Sequence, residues 1–156
     1  ITLPSIVIGS SLLNNILLLA AMLGIFALLG HSFSIEMLWL IPLTLTVVSL
    51  ALGIGLILGV MNVFLRDIGQ IVPIILQMWF WFTPIIYPEN IIPESYRHLL
   101  NLNPMYPVIS AYHKVLAYNT TPTLNAIAII AAISLALMLL SLFIFRRASA
   151  EMVDVL

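Results

Sequence analysis

The sequence predicts an all-α membrane protein: four transmembrane helices plus two short interfacial or re-entrant helices, forming a single transmembrane domain over residues 1–156. Three observations lead there. The chain is 63% hydrophobic and 7% charged, with a mean hydropathy of +1.21, whereas soluble domains carry roughly a quarter charged residues. Charged side chains are absent from 1–35, 37–65, 68–88 and 115–145, and about 20 apolar residues in a helix cross roughly 30 Å of hydrocarbon. The stretch 88–121 departs from this pattern through its prolines, asparagines and tyrosines.

The first span is expected over residues 4–29, closed by the turn-forming Gly30-His31-Ser32. It has no basic flank ahead of its apolar stretch and is too long for a secretory signal core. A membrane chain that opens on Ile1 at the edge of a span reads as a piece of a longer sequence. Asn14 and Asn15 need polar partners at that depth, which neighbouring helices or a pathway can supply. The second span, 37–65, carries Ser49/Gly53 and Gly55/Gly59, two small-xxx-small pairs that let another backbone approach closely.

Arg66-Asp67 is the only charged point between Met37 and Pro88, so it marks a turn at a membrane face. The third span, 68–86, leaves that turn with Pro73 in its first turns and Pro84 near its end, each able to bend it. Gln70, Ile74, Gln77 and Trp81 share one face by their spacing. That stripe suits either a buried seam or a water-filled lining.

Pro93-Glu94-Ser95 can open one short helix in 88–121, and residues 107–117 can form another. Both would bring tyrosines to headgroup level. The last span, 123–145, has Ala126, Ala128, Ala131, Ala132 and Ala136 for tight packing and ends on Arg146-Arg147, a basic stop of the cytoplasmic kind. Counting spans puts Arg66 on the same side as that pair and 88–121 on the other.

Several kinds of chemistry have no residues to carry them. GxxxxGK[ST], HExxH and GxSxG are absent, and Asp67 and Asp154 both fall at expected surfaces rather than at depth. No ionisable group lies inside a span to couple transport to protons or sodium. His31, His98 and His113 are not spaced as a ligand set, and there is no cysteine. The hydropathy makes membrane lipid the surroundings, whereas the net charge of −1 gives no hint of nucleic acid binding and no long basic run is present to suggest binding to lipid headgroups. Asn119-Thr120-Thr121 matches a glycosylation acceptor, a short pattern that arises often by chance.

The segment VMNVFLRDIGQIVPIILQMWFWFTPIIYP, with LNLNPMYPVISAYHKVL and the closing FIFRRASAEMVDVL, resembles the transmembrane permease subunit of ABC-type polysaccharide and polyol-phosphate exporters. The resemblance implies a six-span permease of the bacterial inner membrane, working as a homodimer with a separate ATPase. These permeases move lipid-linked O-antigen, capsule or teichoic acid polymers, and the four spans here correspond to the third to sixth. It places Asn62, Arg66 and Asp67 in a short cytoplasmic connection that meets the ATPase. Trp79, Trp81, Phe82 and Tyr87 correspond to aromatic positions along the export path, with Gln70 and Gln77 as polar companions. An aromatic belt anchoring a helix end is the other reading of these rings.

By the same resemblance 88–121 is an outer gate, with Tyr96, Asn103, Pro104 and Tyr106 its key positions. No cofactor is expected in this chain, ATP and magnesium belonging to the partner ATPase. A drug or small-lipid exporter permease and a non-transporting scaffold of a glycan synthase are the alternatives.

Overall fold

A computed structural model describes residues 2–30, 34–85, 87, 91–100 and 102–152. Ile86, the expected end of the third span, lies outside the described residues. So do His31, Ser32, Pro88, Glu89, Asn90, Asn101 and Asp154. The described chain is helical, in the order α1 (Thr2–Leu28), a 3-10 turn (Ile35–Trp39), α2 (Leu40–Phe64), α3 (Ile68–Phe82), α4 (Glu94–Leu100), α5 (Tyr106–Tyr118) and α6 (Leu124–Met152).

Among the described residues, three stretches are long and apolar enough to cross a membrane: Gly9–Leu28, Ile35–Phe64 and Leu124–Ala148. The third expected span is a shorter apolar helix. α3 has 15 residues, about 22 Å at 1.5 Å per residue. It stops at Phe82 because Pro84 has no N–H to donate and forces the residue before it out of helical geometry; Thr83 is extended, at φ −103° and ψ 127°. Pro73 sits inside α3, yet the helix continues through it. The arginine pair does not end α6, which runs on to Met152.

The centre of the fold is the contact between α2 and α6. Leu40 and Leu43 share a core with Ile127 and Ile130, while Gly53 further along α2 meets Leu137 and Met138 of α6. Both numbers rise together, so the two helices run parallel and their C-terminal ends, Arg66 beyond one and Arg146-Arg147 within the other, lie towards one face. A Cβ placed on Gly53 would come within 2.9 Å of the Met138 backbone nitrogen. This is the close approach that small residues permit.

The rest of the small-residue pattern does not pack as expected. A Cβ on Gly55 or Gly59 meets nothing within 4 Å in this chain, because both lie off the α6-facing stripe, which continues instead through Leu50, Gly53 and Val60. On α6, Ala128, Ala132 and Ala136 are exposed, and the buried small side chains are Ser134 and Ser141. Their hydroxyls donate to the Ala131 and Met138 carbonyls at 2.9 and 2.8 Å. Thr46 does the same to Pro42 at 2.8 Å. These bonds stay within one helix, so each hydroxyl enters the interface already satisfied.

α5, the second of the two expected short helices, is an element of the packed core. Val108, Ala111, Val115 and Leu116 are buried among Leu40, Leu43, Ile127 and Ile130. Tyr112 is correspondingly drawn inward, its hydroxyl 2.9 Å from that of Thr44. Burial pushes its phenol upward from the ordinary tyrosine value, and the Thr44 hydrogen bond offsets this in part. Asn119 closes α5 in the left-handed region, at φ 50°. Thr120 N–H donates to the Lys114 carbonyl and Ser34 to the Asn119 amide oxygen, which gives Asn119 a capping role. From α1, Leu19, Met22, Leu23 and Phe26 pack at the edge of this core.

Gly53→Ala should force α2 from α6 and lower stability by about 1–3 kcal/mol, the range for overpacking, whereas Gly55→Ala should leave this contact intact. Thermal unfolding in detergent compares them; equal midpoints would remove Gly53 from the centre of the packing.

Candidate functional site

The expected site residues fall at the two ends and along one side of α3. At one end, α2 closes with the Leu65 N–H donating to the Met61 carbonyl at 2.8 Å, and α3 opens with Gln70 and Ile71 N–H both donating to the Asp67 carbonyl at 3.0 Å. Asp67 does not cap α3 with its side chain. The cap comes from across the turn: the Asn62 amide oxygen accepts from the Gly69 N–H at 2.7 Å. Asn62 therefore holds the turn in shape, while Arg66 and Asp67 stand exposed on it. A Cβ on Gly69 would lie 2.8 Å from that same oxygen, which is why glycine suits this position.

No residue of α3 is buried. Gln70, Ile74, Gln77 and Trp81 are all exposed, Trp81 at 63%, so the stripe is not a seam within this chain. On its other side, α3 leaves an apolar groove of about 430 Å³ against α2, lined by Val47, Ala51, Gly55 and Leu58 of α2 and Val72 and Leu76 of α3.

At the far end the four expected aromatic positions separate. Trp81 and Phe82 are exposed, Phe82 at 69%, with Phe80 packed edge-on against Trp81 at 5.9 Å. Trp79 is half-buried and its indole N–H donates to the Asn103 amide oxygen at 2.8 Å. Tyr87 donates to the Trp81 carbonyl at 3.0 Å.

Asn103 gathers the expected gate. Its amide oxygen also accepts from the Met105 N–H at 3.0 Å, and its amide nitrogen donates to the Thr83 hydroxyl at 2.8 Å. Thr83 in turn donates to the Trp79 carbonyl at 2.9 Å. Two obligate N–H donors fix which amide atom faces which way. Pro104 and Tyr106 are half-buried beside it, the Tyr106 N–H donating to the Asn103 carbonyl at 3.0 Å. Tyr96 on α4 is apart from this group and 61% exposed.

Residues 1–117 match the family described as ABC-2 type transporter. This chain belongs to the ABC-2 type transporter family. Among curated relatives of this family member, the O-antigen export system permease protein RfbA of Myxococcus xanthus is 32% identical over 158 residues, covering 97% of this chain and 59% of the relative. Two proteins of the same name from Klebsiella pneumoniae are each 27% identical over 128 residues, covering 81% of this chain and 49% of theirs. The ABC-2 chain thus spans about half the length of the relatives it matches. Among its described residues, no group of three or more His, Asp or Glu side chains is placed to hold a metal ion.

Thr83 and Gly69 are the members of the site that residue patterns missed. Thr83 carried a signal, since it directly precedes Pro84, where a helix must end with polar groups unpaired. Gly69 follows Asn62 by seven residues, but the helix breaks between Phe64 and Ile68, so helical periodicity does not bring the two together.

Asn62→Ala and Gly69→Ala should each cost about 1 kcal/mol, the worth of one hydrogen bond, and the double variant should cost no more than either. A double-mutant cycle on unfolding midpoints measures this; additive losses would separate the two residues.

Proposed function

We propose that this chain is part of the transmembrane subunit of an ATP-driven exporter moving lipid-linked polysaccharide or polyol-phosphate polymer across the bacterial inner membrane. The subunit works as a homodimer with a separate ATPase that binds ATP and magnesium. The observation that carries the reading is the exposed stripe of Gln70, Gln77 and Trp81 on an otherwise apolar helix that buries no residue in this chain. Amides at hydrocarbon depth need water or polar partners, and a pore between two permease copies supplies them. The apolar C–H face of a pyranose stacks on rings such as Trp81 and Phe82 without fixed hydrogen bonds, so a polymer can slide past.

The name shared by the relatives, O-antigen export system permease, supports polymer as cargo. The face shared by Arg66 and Arg146-Arg147 supports a cytoplasmic turn, because basic residues stay inside. There the exposed Arg66 and Asp67 offer one charge of each sign for paired contacts with the ATPase, and the Asn62–Gly69 bond keeps the turn stiff enough to transmit them.

In the intact permease, with any cysteine outside these 156 residues replaced, single cysteines at positions 70, 77 and 81 should react with a small polar maleimide, since this stretch has no native cysteine to interfere. Uniform protection of all three would favour the scaffold. Asp67→Arg should insert normally and abolish polymer export while ATP hydrolysis continues; export at the unsubstituted rate would end the assignment of the turn.

A further inference from the structure

α3 is held very differently at its two ends. Along its length it buries nothing and borders an open apolar groove. Its inner end is tied across the turn to α2 by one exposed side-chain hydrogen bond, Asn62 to Gly69. Its outer end is tied to Asn103 by two side-chain hydrogen bonds of 2.8 Å, from Trp79 and to Thr83, and the Thr83 hydroxyl closes this bracket by donating back to the Trp79 carbonyl at 2.9 Å. The centre of that bracket is buried, Thr83 being 3% exposed and Pro84 fully buried, with Trp79 and Asn103 half-buried around it. Hydrogen bonds shielded from water resist exchange with it and are stronger for that. Asn103 in turn leads within three residues into α5, whose Val108, Ala111 and Val115 lie in the core with α2 and α6.

We infer that α3 is a lever pivoting at its outer end, with Asn103 the positioning residue of the pivot. The inference rests on the turn being the ATPase contact, as proposed above. Force applied at Arg66-Asp67 swings the inner end of α3, while Asn103 keeps Trp79 and Thr83 against the fixed α5. The arm from Ile68 to Phe82 is about 22 Å, so a tilt of about 10° carries the inner end roughly 4 Å and the pivot almost nothing. That swing opens or closes the groove against α2, which has the room for it because Gly55 and Ala51 line its wall. Asn103 acts here through Trp79 and Thr83 rather than by touching cargo.

The experiment uses paired spin labels in the intact permease assembled with its ATPase in nanodiscs. One pair, Ile71→Cys with Phe143→Cys, reports the inner end against α6; the other, Phe82→Cys with Tyr118→Cys, reports the outer end against α5. All four sites are exposed. On adding ATP the inner distance should shift by about 3 Å, the arm being slightly shorter at position 71, while the outer distance stays put. Asn103→Ala should broaden the outer distribution and reduce the inner shift. Should that variant fail to assemble, Thr83→Val, which removes the hydroxyl that accepts from Asn103 and donates to the Trp79 carbonyl but leaves the Trp79–Asn103 bond, should do the same to a smaller extent and Thr83→Ser should restore both readings. Equal shifts at both ends of the unsubstituted protein would overturn the pivot. So would unchanged distances in both Asn103→Ala and Thr83→Val. No ATP response at the inner pair of the unsubstituted protein would instead overturn the coupling role of the turn, and the lever with it.

Discussion

The backbone contact of Gly53 with Leu137 and Met138 makes α2 and α6 parallel neighbours, and the rest of the chain is arranged around that fact. Two parallel helices enter from the same face, so everything between Phe64 and Leu124 must carry the chain back to where α2 began. α3 provides about 22 Å of that return, and extended backbone around Thr83-Pro84 continues it. α5 then seats in the angle between the parallel pair, where Val108 and Val115 find full burial. Because hydrocarbon tails are as apolar as leucine, this assembly is driven by close packing rather than by expulsion of water. One missing Cβ therefore decides more than several exposed leucines.

Polar groups divide the molecule into a settled part and an unsettled one. Thr46, Ser134 and Ser141 return their hydroxyls to their own helices, and Asn103 has a partner for each side-chain polar atom. Those residues lie in the α2, α5 and α6 body or join it to α3. Gln70 and Gln77 are exposed on a helix that buries nothing. The contrast supports the proposed pore-facing role of this stripe, since a bilayer tolerates unmet amides poorly.

Much of the site was legible before any coordinates. The Arg66-Asp67 turn follows from charge placement alone, since nothing else interrupts the apolar run around it. The α3 stripe follows from spacing, and the break near 84 from proline. What spacing could not foresee is that Trp79 and Trp81, two residues apart, have different tasks. A helix turns about 200° between them, which sends Trp79 to Asn103 and leaves Trp81 outside. Nor could the alanines of α6 be told from its serines as packing residues; an apolar helix offers no polar face from which to read the buried one, and Ser134 and Ser141 became identifiable only against α2.

By itself the sequence determined the solvent, the helices and their punctuation: uncharged runs of about 20 residues or more, ended by glycine, proline or a pair of opposite charges, are too long for spanning strands and satisfy their backbone polar groups in lipid as helix. Tertiary structure decided which helices touch, that Gly53 rather than Gly55 or Gly59 is the point of contact, and that Asn103 bridges 20 residues back to Thr83. The physical reason is that helix formation depends on local hydrogen bonds, whereas contact depends on rotation about the helix axis. In a chain apolar on nearly every side, only the neighbouring surface selects that rotation.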